Sequence, residues 1–228
     1  MQWKTLLLNQ SINIHITPSP PKIPLFLRNE VDFIWDNKKK QFPKLFNGRV
    51  FNVASLSPDI ISGYWTEYKK VLAQTEKPEL YSELAIRSLA VIGLIQCPEG
   101  FVLGKRTVKS VYLPGYWQSP PAGTVESRGG NDEVDLIQQL YAEAEEELGL
   151  HAHHLMDPKI ISATEHTDTH IIDIGILLKT NLSFQEVFDL WKQNNNPEYD
   201  ELLCCVDYES LPENTLPTTR FLIQNWSE

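Results

Sequence analysis

The hydrophobic and polar positions of the first 85 residues predict an α+β region. Ile12, Ile14 and Ile16 alternate with polar residues, which is typical of a half-buried strand. A cluster of four prolines between residues 18 and 24 then breaks the chain. Apolar side chains at helical spacing predict a helix over 29–39, and further apolar patterns predict strands over 50–54 and 60–68 and a polar helix ending near residue 84.

From residue 86 onward, short apolar runs alternate with turn residues. Leu89–Gln96 and Phe101–Gly104 flank the turn Cys97-Pro98-Glu99-Gly100, which predicts a β-hairpin. The capping-box sequence Ser183-Phe184-Gln185-Glu186 predicts a helix start. The remaining patterns predict strands over 159–164, 170–178 and 202–206 and a last helix over 218–226. This order predicts an α/β sandwich with an open mixed sheet between helical layers.

The most strongly patterned helix is predicted over residues 132–148. Gly149 is expected to end it, with Leu150 making the hydrophobic contact that accompanies a glycine cap. The apolar residues at i+3 and i+4 spacing predict one buried stripe, formed by Ile137, Leu140, Tyr141, Ala144 and Leu148.

Three glutamates share one face of that helix, beside the apolar stripe. Glu143, Glu146 and Glu147 are spaced i, i+3 and i+4, so their like charges repel one another near the unfavourable end of the helix dipole. A divalent cation would offset both effects, and three oxygen ligands suit Mg²⁺ well. A solvated acidic helix face is the alternative interpretation.

Charge and composition exclude several other classes of function. The chain carries 20 Lys and Arg against 30 Asp and Glu, a net charge of −10, which argues against a nucleic-acid-binding protein. Its longest apolar run, Leu89–Ile95, is seven residues, whereas a membrane-spanning helix needs roughly 20. The N-terminal apolar residues are too few for a secretory signal, and the three cysteines form no disulfide framework. We therefore expect a cytoplasmic protein with buried thiols and no membrane partner.

The glutamate helix and the turn before it resemble the Nudix box, G-x5-E-x7-R-E-U-x-E-E-x-G-U, where U is aliphatic. Its second half corresponds to residues 142–150, and Gly123 resembles its opening glycine. Two departures are visible. Gly123 and Glu143 are 20 positions apart, five more than in the motif, so the loop through Arg128, Gly129 and Gly130 resembles an insertion. Ala142 stands where the motif has the arginine that normally orients its carboxylates, and Val134, next to Glu133, stands where it has its first glutamate.

Weaker similarity extends over roughly residues 30–212. Ile34-Trp35 and Pro43–Gly48 resemble the N-terminal extension of a Nudix subgroup that acts on UDP-glucose and UDP-galactose. Later matches in the same order are 104–106, 114–117 and 198–202. The resemblance implies an extension over 1–85, packed on a catalytic Nudix-type α/β/α domain over 86–228.

The resemblance also implies an activity and its residues. It implies Mg²⁺-dependent or Mn²⁺-dependent hydrolysis of a nucleoside diphosphate linked to another moiety, a small-molecule nucleotide such as a UDP-sugar. Glu143, Glu146 and Glu147 correspond to the metal ligands, and Gly123 to the tight turn beside metal and phosphates. The general base is expected from Glu143, Glu198 or Glu201. Nudix enzymes are often dimers, so a homodimer fits the resemblance.

Several other residues have a chemical and a structural interpretation. Arg106 follows a predicted strand and could bind a phosphate or form a surface ion pair. His151, His153 and His154 lack further ligands at metal spacing and suit the negative end of the helix dipole. Trp117 is expected to pack in the core or a cleft wall. Glu165, His166, His170 and Asp173 lie on or between predicted strands, where they could line a cleft, although satisfied polar positions on the sheet are the expected role.

Two alternative functions remain open at this stage. The missing arginine and the altered loop permit a catalytically silent Nudix-fold module that binds nucleotide without turnover. An isomerase of the same fold, acting on a prenyl diphosphate, uses a cysteine and a glutamate for proton transfer. Cys97 lies beside a hairpin turn and gives the second alternative little support.

Overall fold

The structure is a computed structural model that describes residues 3–18, 20–110, 113–128 and 133–226. These residues form two compact units. The first comprises the residues up to Leu89 and the segments 124–134 and 165–172. The second comprises 90–123, 135–164 and the residues from Asp173 onward. The predicted division into an extension over 1–85 and a catalytic domain over 86–228 stays a prediction.

The first unit is an α+β arrangement built around a small sheet. Its helices and strands are β1 (Trp3–Leu7), β2 (Asn13–Ile16), α1 (Leu25–Gln41), β3 (Arg49–Leu56), β4 (Ile60–Glu67), α2 (Tyr68–Glu76) and α3 (Tyr81–Leu84). Strand β4 is central, with β2 parallel on one side and β3 antiparallel on the other. Its core includes apolar side chains of α1, α2 and β3, among them Leu27, Val31, Val50 and Val71.

The remaining elements form the large sheet and the helices around it. They are β5 (Leu89–Cys97), β6 (Gly100–Arg106), β7 (Trp117–Gln118), β8 (Ala122–Thr124), α4 (Leu136–Leu148), β9 (Met156–His166), β10 (Ile172–Lys179), α5 (Phe184–Asn194), β11 (Tyr199–Cys205) and α6 (Pro217–Gln224). The strand order is β9-β10-β5-β6-β11, with β7 paired to β6 and β8 paired to β5. The predicted fold class, α/β with a large mixed sheet and helices, is confirmed.

Helices cover both faces of this sheet, as the alternation along β5 shows. Ile92 and Leu94 belong to a core cluster that includes Leu222 of α6. Gly93 lies between them and faces the other side of the sheet. A Cβ atom at Gly93 would lie 3.3 Å from the Leu140 side chain of α4. Helices α4 and α6 therefore pack on opposite faces.

Most predicted elements are present, and the differences lie at their ends, in short strands and in the polar helix predicted to end near residue 84. That helix is divided into α2 and α3, because Pro78 cannot continue α2. Helix α1 begins at Leu25, earlier than predicted, directly after Pro24, because proline is tolerated at a helix start. Strand β11 begins at Tyr199 and ends at Cys205, although 202–206 was expected. Helix α6 spans Pro217–Gln224 rather than 218–226. Strands β7 and β8, of two and three residues, are too short to produce an alternating pattern, and the consecutive leucines at the end of β1 do not alternate with polar residues.

Helix α4 differs from its prediction in where it begins and which side chains it buries. It starts at Leu136 because the Asp135 carboxylate caps it, accepting hydrogen bonds of 3.0 Å from the Ile137 and Gln138 amides. Residues 129–132, including the first predicted helical residue and most of the predicted insertion, lie outside the described residues. Ile137 and Tyr141 are half-buried, whereas the buried positions are Leu136, Gln139, Leu140, Ala144, Glu147 and Leu148.

The C-terminal cap of α4 is confirmed. Gly149 adopts φ +70° and its amide donates to the Glu145 carbonyl, while the Leu150 amide donates to the Ala144 carbonyl. This is the arrangement in which glycine ends a helix without a steric penalty. Leu150 is fully buried, so it also provides the expected hydrophobic contact.

In the described part of the chain, no helix combines the length and hydropathy that crossing a bilayer requires. The cysteine thiols are free, with Cys97 and Cys205 buried and Cys204 half-buried.

Candidate functional site

The three predicted metal ligands lie on the last two turns of α4 in three different environments. Glu146 is exposed, Glu143 is half-buried, and Glu147 is only 5% exposed. The Glu147 carboxylate accepts a hydrogen bond of 3.1 Å from the backbone amide of Ala122. Its burial differs from the expectation that all three carboxylates lie beside the apolar stripe, because Glu147 is part of the buried face.

Gly123 and Glu143 lie directly against each other, although they are 20 positions apart. A Cβ atom at Gly123 would lie 2.5 Å from both carboxylate oxygens of Glu143. The Gln139 side chain, one turn earlier on α4, donates a hydrogen bond of 2.6 Å to the Glu143 carboxylate. Only glycine leaves room for this carboxylate, so the structure brings the glycine turn and the glutamate helix together.

A buried hydrogen-bonded chain leads from Glu147 to Arg106. The Tyr199 hydroxyl donates to Glu147 over 2.9 Å, and the Gln118 side-chain amide donates to the Tyr199 hydroxyl over 2.7 Å. The Arg106 guanidinium donates to the Gln118 carbonyl oxygen over 3.2 Å. We call Arg106, Gln118 and Tyr199 the relay.

The segment before β11 carries Glu198 to the same place. The Glu198 carboxylate forms an ion pair of 3.0 Å with Arg106. Asn196 fixes this segment, because its amide donates to the Glu146 carbonyl over 2.9 Å and its oxygen accepts from the Glu198 amide over 2.8 Å. The register of β11 against β6 sets Tyr199 opposite Arg106.

Glu201, the other candidate general base, lies elsewhere. A bulge between Tyr199 and Glu201 shifts the register, and Glu201 is exposed opposite Lys105. Of the two glutamates near the start of β11, Glu198 is therefore the one that joins the buried group.

The acidic side chains of the site perturb one another. Burial raises the pKa of Glu147 well above its usual value, and the charges of Glu198 and Glu143 raise it further, against hydrogen bonds from Tyr199 and Ala122. Burial also raises the pKa of Glu198; the Arg106 charge opposes this effect and the Glu146 charge adds to it. These shifts show that four carboxylates lie within electrostatic reach of one another.

Asp173 on β10 belongs to the same electrostatic environment. Burial raises its pKa to about 7, against the opposing influence of Arg106. Asp173 is therefore more than a polar sheet position, because a carboxyl group with this pKa can gain or lose a proton near neutral pH. The sequence contains no local signal for this raised pKa, since it depends on how deeply the fold buries Asp173.

The carboxylates of this site have the ligand chemistry that a hard divalent cation prefers, but they are not arranged around a common point where such an ion would bind. Glu143, Glu146, Glu147 and Glu198 supply only oxygen ligands, which Mg²⁺ and Mn²⁺ prefer. Among the described residues, no group of three or more His, Cys, Asp or Glu side chains is arranged to hold a metal ion. Protein donors instead hold the carboxylates of Glu143 and Glu147.

The other predicted polar residues make contacts of their own. His151, which follows the α4 cap, forms an ion pair of 3.2 Å with Glu145, and its ring stacks with that of His153. Glu165 belongs to the first unit and accepts from Arg87 over 2.8 Å and pairs with His170 over 3.0 Å. Trp117 packs against the core cluster between the sheet and α6, as predicted.

Four residues that shape the site are not predicted from the sequence. Tyr199, Gln118 and Asn196 lie outside the motif, and Gln139 lies inside it at a variable position. The Gln139–Glu143 spacing of i and i+4 is a signal that could have identified one of these contacts, because such pairs face each other on a helix. The Gln118 and Tyr199 contacts depend on strand register, which the sequence alone does not specify, and the contact of Asn196 with Glu146 joins residues 50 positions apart.

Comparisons with known proteins complete the description. No protein-family model and no curated protein matches the sequence. The fold is similar to that of a MutT NUDIX hydrolase from Burkholderia pseudomallei, with 16% identity and a TM-score of 0.45 over 61% of this chain and 98% of the other. It is also similar to an Ap4A hydrolase from C. elegans, solved as a binary complex. The two share 17% identity and a TM-score of 0.35 over 53% of this chain and 81% of the other. A NUDIX hydrolase from Nitrosomonas europaea shares 16% identity, with a TM-score of 0.38 over 60% of this chain and 68% of the other.

Proposed function

We propose that this chain is a Nudix-type pyrophosphohydrolase that cleaves a nucleoside diphosphate linked to another moiety. One observation carries the proposal: the two halves of the motif, 20 positions apart, meet at Gly123 and Glu143 and again at Ala122 and Glu147. Four carboxylates and one guanidinium surround this meeting point. An acidic helix face exposed to solvent would show neither contact.

Glu143, Glu146 and Glu147 would hold Mg²⁺ or Mn²⁺ in this proposal. Such an ion neutralises pyrophosphate charge, polarises a phosphoryl oxygen and lowers the pKa of a bound water. The chain contributes the positions of the ligands, through Gln139 at Glu143 and through the Ala122 amide at Glu147. Glu146 is exposed on the same helix, so its carboxylate is accessible to an ion from solvent.

Glu198 is the proposed general base, with Glu143 as its competitor. A general base works best when its pKa approaches the operating pH, and burial raises the pKa of Glu198 in that direction. Its ion pair with Arg106 holds the carboxylate in place. An incoming phosphate would compete with Glu198 for the Arg106 guanidinium, so Arg106 can release the base as it binds substrate. Gly123 would let the backbone approach the phosphates.

A nucleotide sugar is the narrower proposal for the substrate. It rests on the similarity of Ile34-Trp35 and 43–48 to the extension of Nudix enzymes that act on UDP-sugars. The fold alone does not select a substrate, because one fold supports many specificities. A homodimer and an extension over 1–85 are parts of the same proposal.

A catalytically silent nucleotide-binding module is the second candidate. Ala142 removes the arginine that normally orients the carboxylates, and protein donors already occupy Glu143 and Glu147. Such a module would bind the same nucleotide and release it unchanged.

Product formation over a substrate panel tests the proposal. The panel contains UDP-sugars, ADP-ribose, dinucleoside polyphosphates, NADH and nucleoside triphosphates, each with Mg²⁺, Mn²⁺ or EDTA. We expect one class to yield two phosphate-bearing products in a reaction that EDTA abolishes. Thermal stabilisation by one nucleotide without any product would instead identify the silent module.

Glu146→Gln, compared with Glu145→Gln, tests the ligand assignment. Both residues are exposed neighbours on α4, but only Glu146 belongs to the proposed ligand set. We expect Glu146→Gln to lower turnover by at least about 100-fold while the melting temperature stays within a few degrees, and Glu145→Gln to retain activity. Equal activity of the two variants would contradict the assignment.

A further inference from the structure

The hydrogen bonds of the relay run in one direction, because its first residue can only donate. A guanidinium has no acceptor, so the Gln118 atom facing Arg106 is the carbonyl oxygen. The amide nitrogen of Gln118 must then face Tyr199, where it donates over 2.7 Å. The Tyr199 hydroxyl accepts this bond, and its single proton is directed to Glu147 over 2.9 Å.

The relay is also held in place by packing. Tyr199 and Gln118 are each 3% exposed, so water does not compete for their polar groups. A Cβ atom at Gly104 would lie 2.5 Å from the Tyr199 ring, which shows how closely the ring lies against the β6 backbone. The hydroxyl therefore has one accessible position, above the Glu147 carboxylate.

The relay ends at the carboxylate of Glu147, the buried glutamate among the three proposed ligands. Glu147 is buried at the end of α4, and its carboxylate has a backbone donor from Ala122 and a side-chain donor from Tyr199 on the same oxygen, Oε2. Two donors on one oxygen fix the rotation of the carboxylate and leave Oε1 as the oxygen for another ligand. The side chain of Ala142, one residue before Glu143, cannot provide such a contact because it has no polar atom.

We propose that Tyr199 is a positioning residue, oriented from Arg106 through Gln118, that fixes the Glu147 carboxylate for binding a divalent cation. The inference rests on the proposed function, since it takes Glu147 as a ligand. It assigns to Tyr199 and Gln118 the orienting role that the arginine of the motif would otherwise have. Partners that hold metal ligands in this way typically contribute 10- to 100-fold in metal affinity or activity.

Mn²⁺ binding in the absence of substrate, followed by electron paramagnetic resonance of the free ion, tests this role. Tyr199→Phe removes the hydroxyl and keeps the ring against Gly104. We expect it to weaken Mn²⁺ binding by about 10- to 100-fold. Tyr64→Phe is the matched control, because Tyr64 is a buried tyrosine of the first unit, and it should leave the Mn²⁺ affinity unchanged.

A second variant acts on the direction of the relay without changing its shape. Gln118→Glu replaces the amide donor with an acceptor, so the Tyr199 hydroxyl donates to the new carboxylate instead of Glu147. We expect a loss of Mn²⁺ affinity in the same direction as for Tyr199→Phe. This variant also carries the test if Tyr199→Phe does not fold.

Turnover separates positioning from general structural damage. We expect Tyr199→Phe to raise the Mn²⁺ concentration for half-maximal rate, to leave the KM for nucleotide at saturating Mn²⁺ unchanged, and to regain its rate at high Mn²⁺. Wild-type Mn²⁺ affinity in both relay variants would overturn the role of Tyr199. A wild-type protein that binds no Mn²⁺ would overturn this role and the proposed function together. Mn²⁺ binding that depends on Tyr199, without turnover of any substrate, would support the role and overturn only the hydrolase.

Discussion

Replacing Gly123 with alanine should separate activity from stability. The new Cβ atom would lie 2.5 Å from both carboxylate oxygens of Glu143 and closer still to the carboxyl carbon, and ordinary contact begins at 3.4 Å, so the carboxylate must retreat by about 1 Å. The backbone at Gly123 lies outside the left-handed region, so alanine fits there without strain. The perturbation therefore acts on one side chain.

The expected stability change is small, because the displaced atoms are the far end of a flexible, half-buried side chain. Loss of the Gln139–Glu143 hydrogen bond costs about 1 kcal/mol, and the reduced freedom of the unfolded chain returns roughly 0.4–1 kcal/mol. The net change in unfolding free energy should stay within about 1 kcal/mol. The activity should fall by about 100-fold, which is the effect of a misplacement of about 1 Å at a reacting centre.

Urea unfolding and metal-dependent turnover, measured on the same preparations, check both parts. Gly48→Ala is the control, because its nearest neighbour would lie at an ordinary 3.6 Å in the first unit, and it should keep its activity. Turnover like that of the wild type in Gly123→Ala would show that the position of Glu143 does not matter. A stability loss above about 3 kcal/mol would show that the close approach is a rigid packing constraint instead.

Two further predictions concern the framework. Burial alone would raise the pKa of Glu165, but hydrogen bonds and charge from Arg87 and His170 outweigh it and lower the pKa. This group therefore contributes stability above the unfolded-state pKa of a glutamate, about 4.3, and the contribution disappears as the pH falls through the lower folded-state value. Glu165→Gln should cost about 2 kcal/mol at pH 7 and much less near pH 3 in denaturant titrations, and a pH-independent cost would contradict the pairing. Ser183→Ala should cost about 1 kcal/mol in the same assay, because it removes the hydroxyl that accepts from the Glu186 amide at the start of α5, and a neutral result would mean that this cap does not stabilise the fold.

The sequence predicts those helix ends and turns that depend only on residues close to one another along the chain. The capping box at Ser183 and the glycine stop at Gly149 both depend on residues within one helical turn, and both are present. The β5–β6 hairpin follows from its turn residues in the same way. The start of α4 was predicted too early, because its polar first residues resemble helix while Asp135, as the actual cap, fixes the boundary.

The site depends on contacts that no local pattern contains. Tyr199 and Glu147 are 52 positions apart, and their contact requires the register of β11 against β6 and a bulge directly after Tyr199. A one-residue shift of that register would direct the tyrosine to the opposite face of the sheet. The motif predicts which glutamates are the metal ligands, but only the three-dimensional structure reveals which of these glutamates is buried and which groups hold its carboxylate.

The contacts of Gly123 with Glu143 and of Ala122 with Glu147 have a consequence for how this chain can change in length. They hold the glycine turn against the C-terminal half of α4, and the Asp135 side chain caps the start of the same helix. The free energy of loop closure rises slowly with length, since doubling a loop adds only about 0.6 kcal/mol. Backbone hydrogen bonds fix residues 125–127, so insertions and deletions should accumulate between 128 and 134, where a change in length leaves the carboxylates in place.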